Sequence, residues 1–163
     1  MRNGKLYWMS DLTFKSNTLD HPDVIALLQR HLEEMQKASP LESVHALGLA
    51  EMHQPGMDFW TAWRKNELAG CGALKRLSAS HAEIKSMRTH PKFLRQGIAE
   101  WVLKYLIAEA RANGYRRLSL ETGSQDYFEP ARRLYLKHGF AYCDPFSDYT
   151  DDPNSVFMSL KIN

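Results

Sequence analysis

Met87-Arg88-Thr89-His90-Pro91-Lys92-Phe93-Leu94-Arg95-Gln96-Gly97-Ile98-Ala99 is the stretch that orders the rest of the chain. It closes a strand-like run, Ala82 to Thr89, which His90-Pro91 interrupts because proline has no N–H to give a ladder. It also opens the strongest helical pattern in the sequence. Ile98, Val102, Tyr105, Leu106 and Glu109-Ala110 follow the helical step, and Asn113-Gly114 supplies the stop. Between strand and helix, Gly97 and Ala99 are small, so the backbone there can approach a ligand closely. The first N–H groups of a helix lack intrahelical acceptors and its dipole favours an anion, which suits a diphosphate. Taken alone, two small residues at a helix start fit plain packing as well.

Downstream, Arg117-Leu118-Ser119-Leu120-Glu121 alternates as a strand. Pro130 opens a helix with Ala131, Leu134 and Tyr135 on its apolar face, and Gly139 ends it. Phe140 to Tyr142 and Val156 to Leu160 read as the last strands. Upstream, strands over Met57 to Trp63 and Leu68 to Leu77 flank a short polar connection, which favours antiparallel pairing. Leu6 to Phe14 reads as the first strand. Asp20 is the expected N-cap of a helix striped by Val24, Leu27, Leu28, His31, Leu32 and Met35, with Arg30, Glu33, Glu34 and Lys37 on the wet side. Ser39-Pro40 ends it, and Glu42 to Met52 reads as a second, shorter helix. The order β-α-α-β-β-β-α-β-α-β-β places the chain in the α/β (α+β) class, a mixed sheet with helices on its faces.

With 163 residues, one domain over 1–163 is expected. An apolar share of 44% and a charged share of 25% are those of a globular protein. A formal charge of +2 argues against a nucleic-acid binder. The N-terminus has no signal-like apolar region and no segment is apolar for long enough to span a bilayer, so a soluble, cytoplasmic protein without membrane partners is expected. Cys71 and Cys143 are too far apart for a finger or a disulfide framework and read as packed strand thiols. The 7 histidines show no ligand spacing, so no metal is expected.

Two motifs in order, Arg95-Gln96-Gly97-Ile98-Ala99 and Ala131-Arg132-Arg133-Leu134-Tyr135-Leu136-Lys137-His138-Gly139-Phe140, resemble the GNAT superfamily of N-acetyltransferases. That pattern is Gln/Arg-x-x-Gly-x-Gly/Ala followed by Ala-x-x-x-Tyr-x-x-x-Gly-Phe. The resemblance runs from about Leu6 to Leu160 and implies a mostly antiparallel central sheet with helices on both faces. Ser39 to Ser43, Cys71 to Lys75, Glu83 to Arg88, Leu120 to Gly123 and Asp144 to Tyr149 further resemble the bacterial YsnE-type acetyltransferases. The resemblance implies acetyl-CoA as co-substrate and assigns residues to it. Gly97 and Ala99 match the small positions of the pyrophosphate loop, with Arg95, Gln96 and Ile98 lending N–H groups. Met87, Arg88 and Thr89 match the segment whose backbone pairs with the pantetheine arm. Tyr135 matches the tyrosine that protonates the departing thiolate, and Glu83 stands where some members place a general base. Leu94 replaces the usual Gln or Arg of the loop, and Phe128 stands where many members have an asparagine.

Acetyl transfer needs a neutral amine, a stabilised oxyanion and a thiolate that can leave, and no covalent enzyme intermediate. Glu121, and behind it His45, rival Glu83 as base. Arg88, Lys92, Arg132 and Arg133 are further candidates for the coenzyme phosphates, although Arg132, Arg133 and Lys137 also read as a solvated helix face. Asp144, Asp148, Asp151 and Asp152 beside Phe146 and Tyr149 would suit a cationic amine, or form a solvated loop. The expected acceptor is a small-molecule amine. A protein or peptide amine, or a non-catalytic acyl-CoA-binding or regulatory module of the same fold, are the alternatives. Aromatic residues on terminal strands could serve a homodimer.

Overall fold

The computed structural model describes residues 11–44 and 48–163. Its strands are β1 (Leu12–Ser16), β2 (Met57–Arg64), β3 (Glu67–Arg76), β4 (His81–Thr89), β5 (Arg117–Gly123), β6 (Ala141–Cys143) and β7 (Ser155–Lys161). Its helices are α1 (Pro22–Ala38), α2 (Leu49–Met52), α3 (Ile98–Ala112) and α4 (Glu129–Lys137). The sheet order is β1-β2-β3-β4-β5-β7-β6, antiparallel at every pairing except β4 with β5. The parallel pair is the one joined through α3, since a parallel connection needs a crossover long enough for a helix.

α3 and α4 cover one face. Ile98, Val102, Leu103, Leu106 and Ala110 of α3 pack with Leu74, Ala82, Ile84, Leu118, Leu120 and Tyr135 in one core. α1 covers part of the other face, where Val24, Leu27 and Leu28 meet Phe59, Trp63, Cys71 and Ala73. Close approach of α3 to β3 depends on Gly72, where a Cβ would lie 2.9 Å from Leu106 Cδ1. Gly114 and Gly139 end α3 and α4 with φ of +81° and +92°, as their sequence positions require.

Local departures have local causes. α1 is capped by His21, whose Nδ1 accepts from Asp23 N at 3.1 Å, so the expected Asp20 cap lies one residue too early. Pro22 fixes that start, because it stands at the first helical position, where its missing N–H costs nothing. The segment expected as one short helix divides into a 3-10 turn, Leu41–Ser43, and the single turn of α2. The described first strand is Leu12–Ser16; residues 6–10 and His45 lie outside the described residues. Cys71 is buried, but Cys143 is exposed on β6, which pairs with β7 alone and so leaves one edge open. Glu34 is not simply on the wet side of α1, since it accepts from Arg88 of β4.

Leu106 is fully buried where α3 meets the sheet. Leu106→Ala is expected to lower the free energy of unfolding by about 2–5 kcal/mol, read from the urea midpoint at constant slope.

Candidate active site

The site is built by strands that stop pairing. β4 and β5 are in register only from His81↔Arg117 to Glu83↔Ser119. β5 then continues against β7 to Gly123, while β4 bulges away. Cys71 faces Arg88 and Ala73 faces Lys85, which leaves Ser86 and Met87 opposite Gly72, with Ser86 at φ +54°. A bulge bends its strand and adds twist, so a wedge opens between the two strands. His90 N–H donates to Ala69 C=O of β3 at 2.8 Å. Backbone direction alternates along a strand, so Thr89 and Met87 present their N–H and C=O to the wedge, whereas those of Arg88 face β3.

α3 begins at one end of the wedge. Buried Phe93 anchors the connecting turn, and Arg95 and Gly97 both adopt left-handed backbone at φ +61° and +79°. No side chain caps α3, and the amides of Ile98, Ala99 and Glu100 have no carbonyl one turn earlier within the helix. Gln96 holds the loop, accepting from Arg64 Nη1 at 2.8 Å and donating to Lys92 O at 3.4 Å. Leu94 is 56% exposed. The Leu94 side chain, which replaces the Gln or Arg that the resemblance expects, therefore stands in solvent.

Sequence reasoning left the basic residues open, and the structure assigns most of them to protein partners. Arg88 pairs with Glu34, and Lys92 with Glu67. Arg132 Nη1 donates to the carbonyls of Gly123 at 2.6 Å and Gln125 at 2.9 Å, tying α4 to the end of β5. Phe128 is buried against Gly123, where any Cβ would overlap its ring, so at this position the chain packs rather than hydrogen-bonds. Lys137 Nζ and His138 Nε2 reach Glu100 at 2.8 and 3.0 Å, which clamps α4 to the first turn of α3 and holds Tyr135 in place. The ion pair with Lys137, and then the bond to His138, hold the Glu100 carboxyl down at about 2.

The two candidate catalytic groups share one electrostatic neighbourhood. Glu83 is 2% exposed; its Oε2 accepts from Tyr149 OH at 2.5 Å and lies 3.5 Å from Lys85 Nζ. Lys85 also donates to Tyr149 OH at 2.9 Å. Glu121, two positions beyond the Ser119 that pairs with Glu83, is pushed up to about 7, mainly by burial and further by Glu83 and Asp152, against the pull of Lys85. Tyr135 is 7% exposed, with its ring edge-on to Phe140 at 5.7 Å. Burial, then the Glu121 charge, raise its phenol to about 12, so it keeps its proton at neutral pH.

The acidic segment divides. Asp144, Asp148 and Asp151 are exposed, as in a solvated loop. Asp152 is structural, accepting from Ser43 Oγ at 2.5 Å and from Asn154 N at 2.8 Å. Phe146 and Tyr149 pack with Phe157 over Glu83 and Lys85. Lys85 and its bond to Tyr149 escaped sequence reasoning; period-two spacing from Glu83 was the available signal. Among the described residues, no group of three or more His, Cys, Asp or Glu converges as for a metal ion, and no helix is long and apolar enough to cross a membrane.

Because the folded protein holds the Glu121 proton up to about 7 against an ordinary value of 4.5, stability is lost as pH rises through that window. Glu121→Gln removes the loss. The variant is expected to gain about 1–3 kcal/mol more over the parent at pH 8 than at pH 5 in urea unfolding. Equal differences at both pH values would contradict the raised carboxyl.

The sequence profile of the Acetyltransferase (GNAT) family matches residues 23–140. The uncharacterized N-acetyltransferase YsnE of Bacillus subtilis is 55% identical over 91% of this chain and 98% of its own length. The uncharacterized N-acetyltransferase YedL of Escherichia coli is 47% identical over 92% of this chain and 94% of its own. A solved GNAT family acetyltransferase from Elizabethkingia anophelis with acetyl-CoA bound shares the fold at a TM-score of 0.70, covering 93% of this chain and 99% of that one at 21% identity.

Proposed function

The chain belongs to the GNAT family of acetyltransferases, and on that premise we propose that it moves an acetyl group from acetyl-CoA to the primary amine of a small molecule, by direct attack in a ternary complex. The observation that carries this reading is the wedge between β4 and β5, with an uncapped helix start at its end and buried proton-carrying groups beside it. Backbone groups of Met87 and Thr89, next to Arg88, hold the pantetheine arm. The amides of Arg95, Gln96, Gly97, Ile98 and Ala99 hold the diphosphate, where left-handed backbone and small side chains let it come close.

Acetyl-CoA supplies a thioester carbonyl carbon. The protein's own residues manage the protons. Glu83 and Glu121 form the basic pair. Glu121 takes the amine proton, since a group titrating near neutrality is the efficient base at working pH. Glu83 holds Tyr149 and Lys85 in place, and its charge adds to the burial that keeps the Glu121 carboxyl high. Tyr135 gives its phenolic proton to the sulfur as the C–N bond forms and the C–S bond breaks. Transfer of the proton from Glu121 back to Tyr135, directly or through water, resets the site.

Acetyl-CoA is expected to bind saturably in calorimetry. Tyr135→Phe should reduce thiol release with an amine panel by about 10²–10⁴-fold while acetyl-CoA still binds; an unchanged rate removes Tyr135 from the mechanism. In the parent protein kcat/KM should rise with pH through about 7, and Glu121→Gln should abolish that limb. If the limb survives in Glu121→Gln and vanishes in Glu83→Gln, Glu83 is the base. Binding without thiol release from any amine would favour the non-catalytic module.

A further inference from the structure

The bulge at Ser86 decides which side chains of β4 share a face. With strict alternation Glu83, Lys85 and Met87 would lie together and Arg88 opposite. The extra residue reverses this: Met87 packs into the core under α3, and Arg88 joins Glu83 and Lys85 on the face under α1. That face thus carries carboxylates at one end of the wedge and a guanidinium at the other, beside the backbone of Met87 and Thr89.

Arg88 is held in an unusual way. Its Nη2 pairs with Glu34 Oε2 of α1, and its Nη1 donates to Tyr127 OH, just beyond β5, at 3.3 Å. The first bond ties β4 to α1, and the second spans from β4 to the segment beyond β5. Its Nε is buried with no hydrogen-bond partner. His31 of α1 is 9% exposed, and its buried Nδ1 also has none. Burial, then the Arg88 charge, depress the imidazole to about 4, so it is neutral at physiological pH, and its Nδ1 meets a carboxylate as the N–H tautomer. Buried polar atoms normally have partners, and two orphans beside one guanidinium mark a place for a ligand group. Glu34 has partners besides Arg88: its Oε2 also accepts from Tyr127 OH at 3.2 Å and its Oε1 from exposed Arg30 at 3.1 Å, and these would keep it paired if a ligand took the guanidinium.

We propose that Arg88 anchors an anionic group of the acceptor: the acetylated amine belongs to a molecule that also carries a carboxylate, which takes the place of Glu34 on the guanidinium beside His31. This rests on the acetyltransferase reading and narrows it to amino-acid-like acceptors. Guanidinium is suited to the task, since its fork meets a carboxylate with two parallel bonds.

The test is calorimetric and needs no turnover. The full chain, saturated with CoA, is titrated with the N-acetyl derivatives of glycine, methionine, phenylalanine and glutamate, and with the α-carboxamide of each. At least one acid is expected to bind about 10- to 100-fold more tightly than its amide, the worth of a charge-assisted bond. Arg88→Gln should bring that pair within about twofold, while Glu34→Gln, which frees the guanidinium, should tighten the acid by about threefold or more. Equal affinities in the parent, no binding of any acid, a preference that survives Arg88→Gln, or a weaker acid in Glu34→Gln would each overturn the proposal. Those results in a protein that still binds CoA remove this inference alone; failure to bind CoA removes the acetyltransferase reading beneath it.

Discussion

Beyond Glu83 and Ser119, β4 and β5 stop exchanging hydrogen bonds. In the middle of a sheet this would ordinarily leave a row of backbone groups without partners, which is costly when buried. Here the loss is confined to the ends of two strands held firmly on their outer sides, β4 by β3 and β5 by β7. Each wall of the wedge is therefore paired along its outer side. Its unpaired backbone is what the proposed pantetheine contact would use, since an extended ligand can supply the bonds a neighbouring strand would have made.

Around this opening, the two faces of the sheet do different work. The α3 face is an apolar core that fixes the helix start against the end of β4. The other face is apolar under α1 but polar where Glu83, Lys85, Glu121 and Tyr149 meet. Burying such groups is unfavourable unless they satisfy one another. Glu83 does so through Tyr149 and Lys85, whereas Glu121 retains its proton up to neutrality. Burial likewise raises the Tyr135 phenol, so both groups titrate above their ordinary values while starting from different ones.

Much of this was legible in the chain. The periodicity of Ile98 to Ala110, the glycines at 97, 114 and 139 and the proline at 130 act through local backbone geometry, and each element forms where those signals place it. The left-handed turn before α3 and the place of Tyr135 on α4 were legible for the same reason. The acidic segment was not: whether Asp152 meets solvent, substrate or Ser43 depends on a contact more than 100 residues distant in sequence. Glu34 was misjudged for a similar reason, since helical spacing assigns it a face but not the Arg88 that comes to meet it.

The sequence by itself determined the element order, the glycine stops of α3 and α4 and the small residues at the start of α3, because these follow from neighbours within a few positions. Only the tertiary structure decided where β4 and β5 part, that the Ser86 bulge turns Arg88 toward α1, and that Glu121 titrates near neutrality. Those outcomes depend on register and burial, which arise when strands distant in sequence are brought side by side.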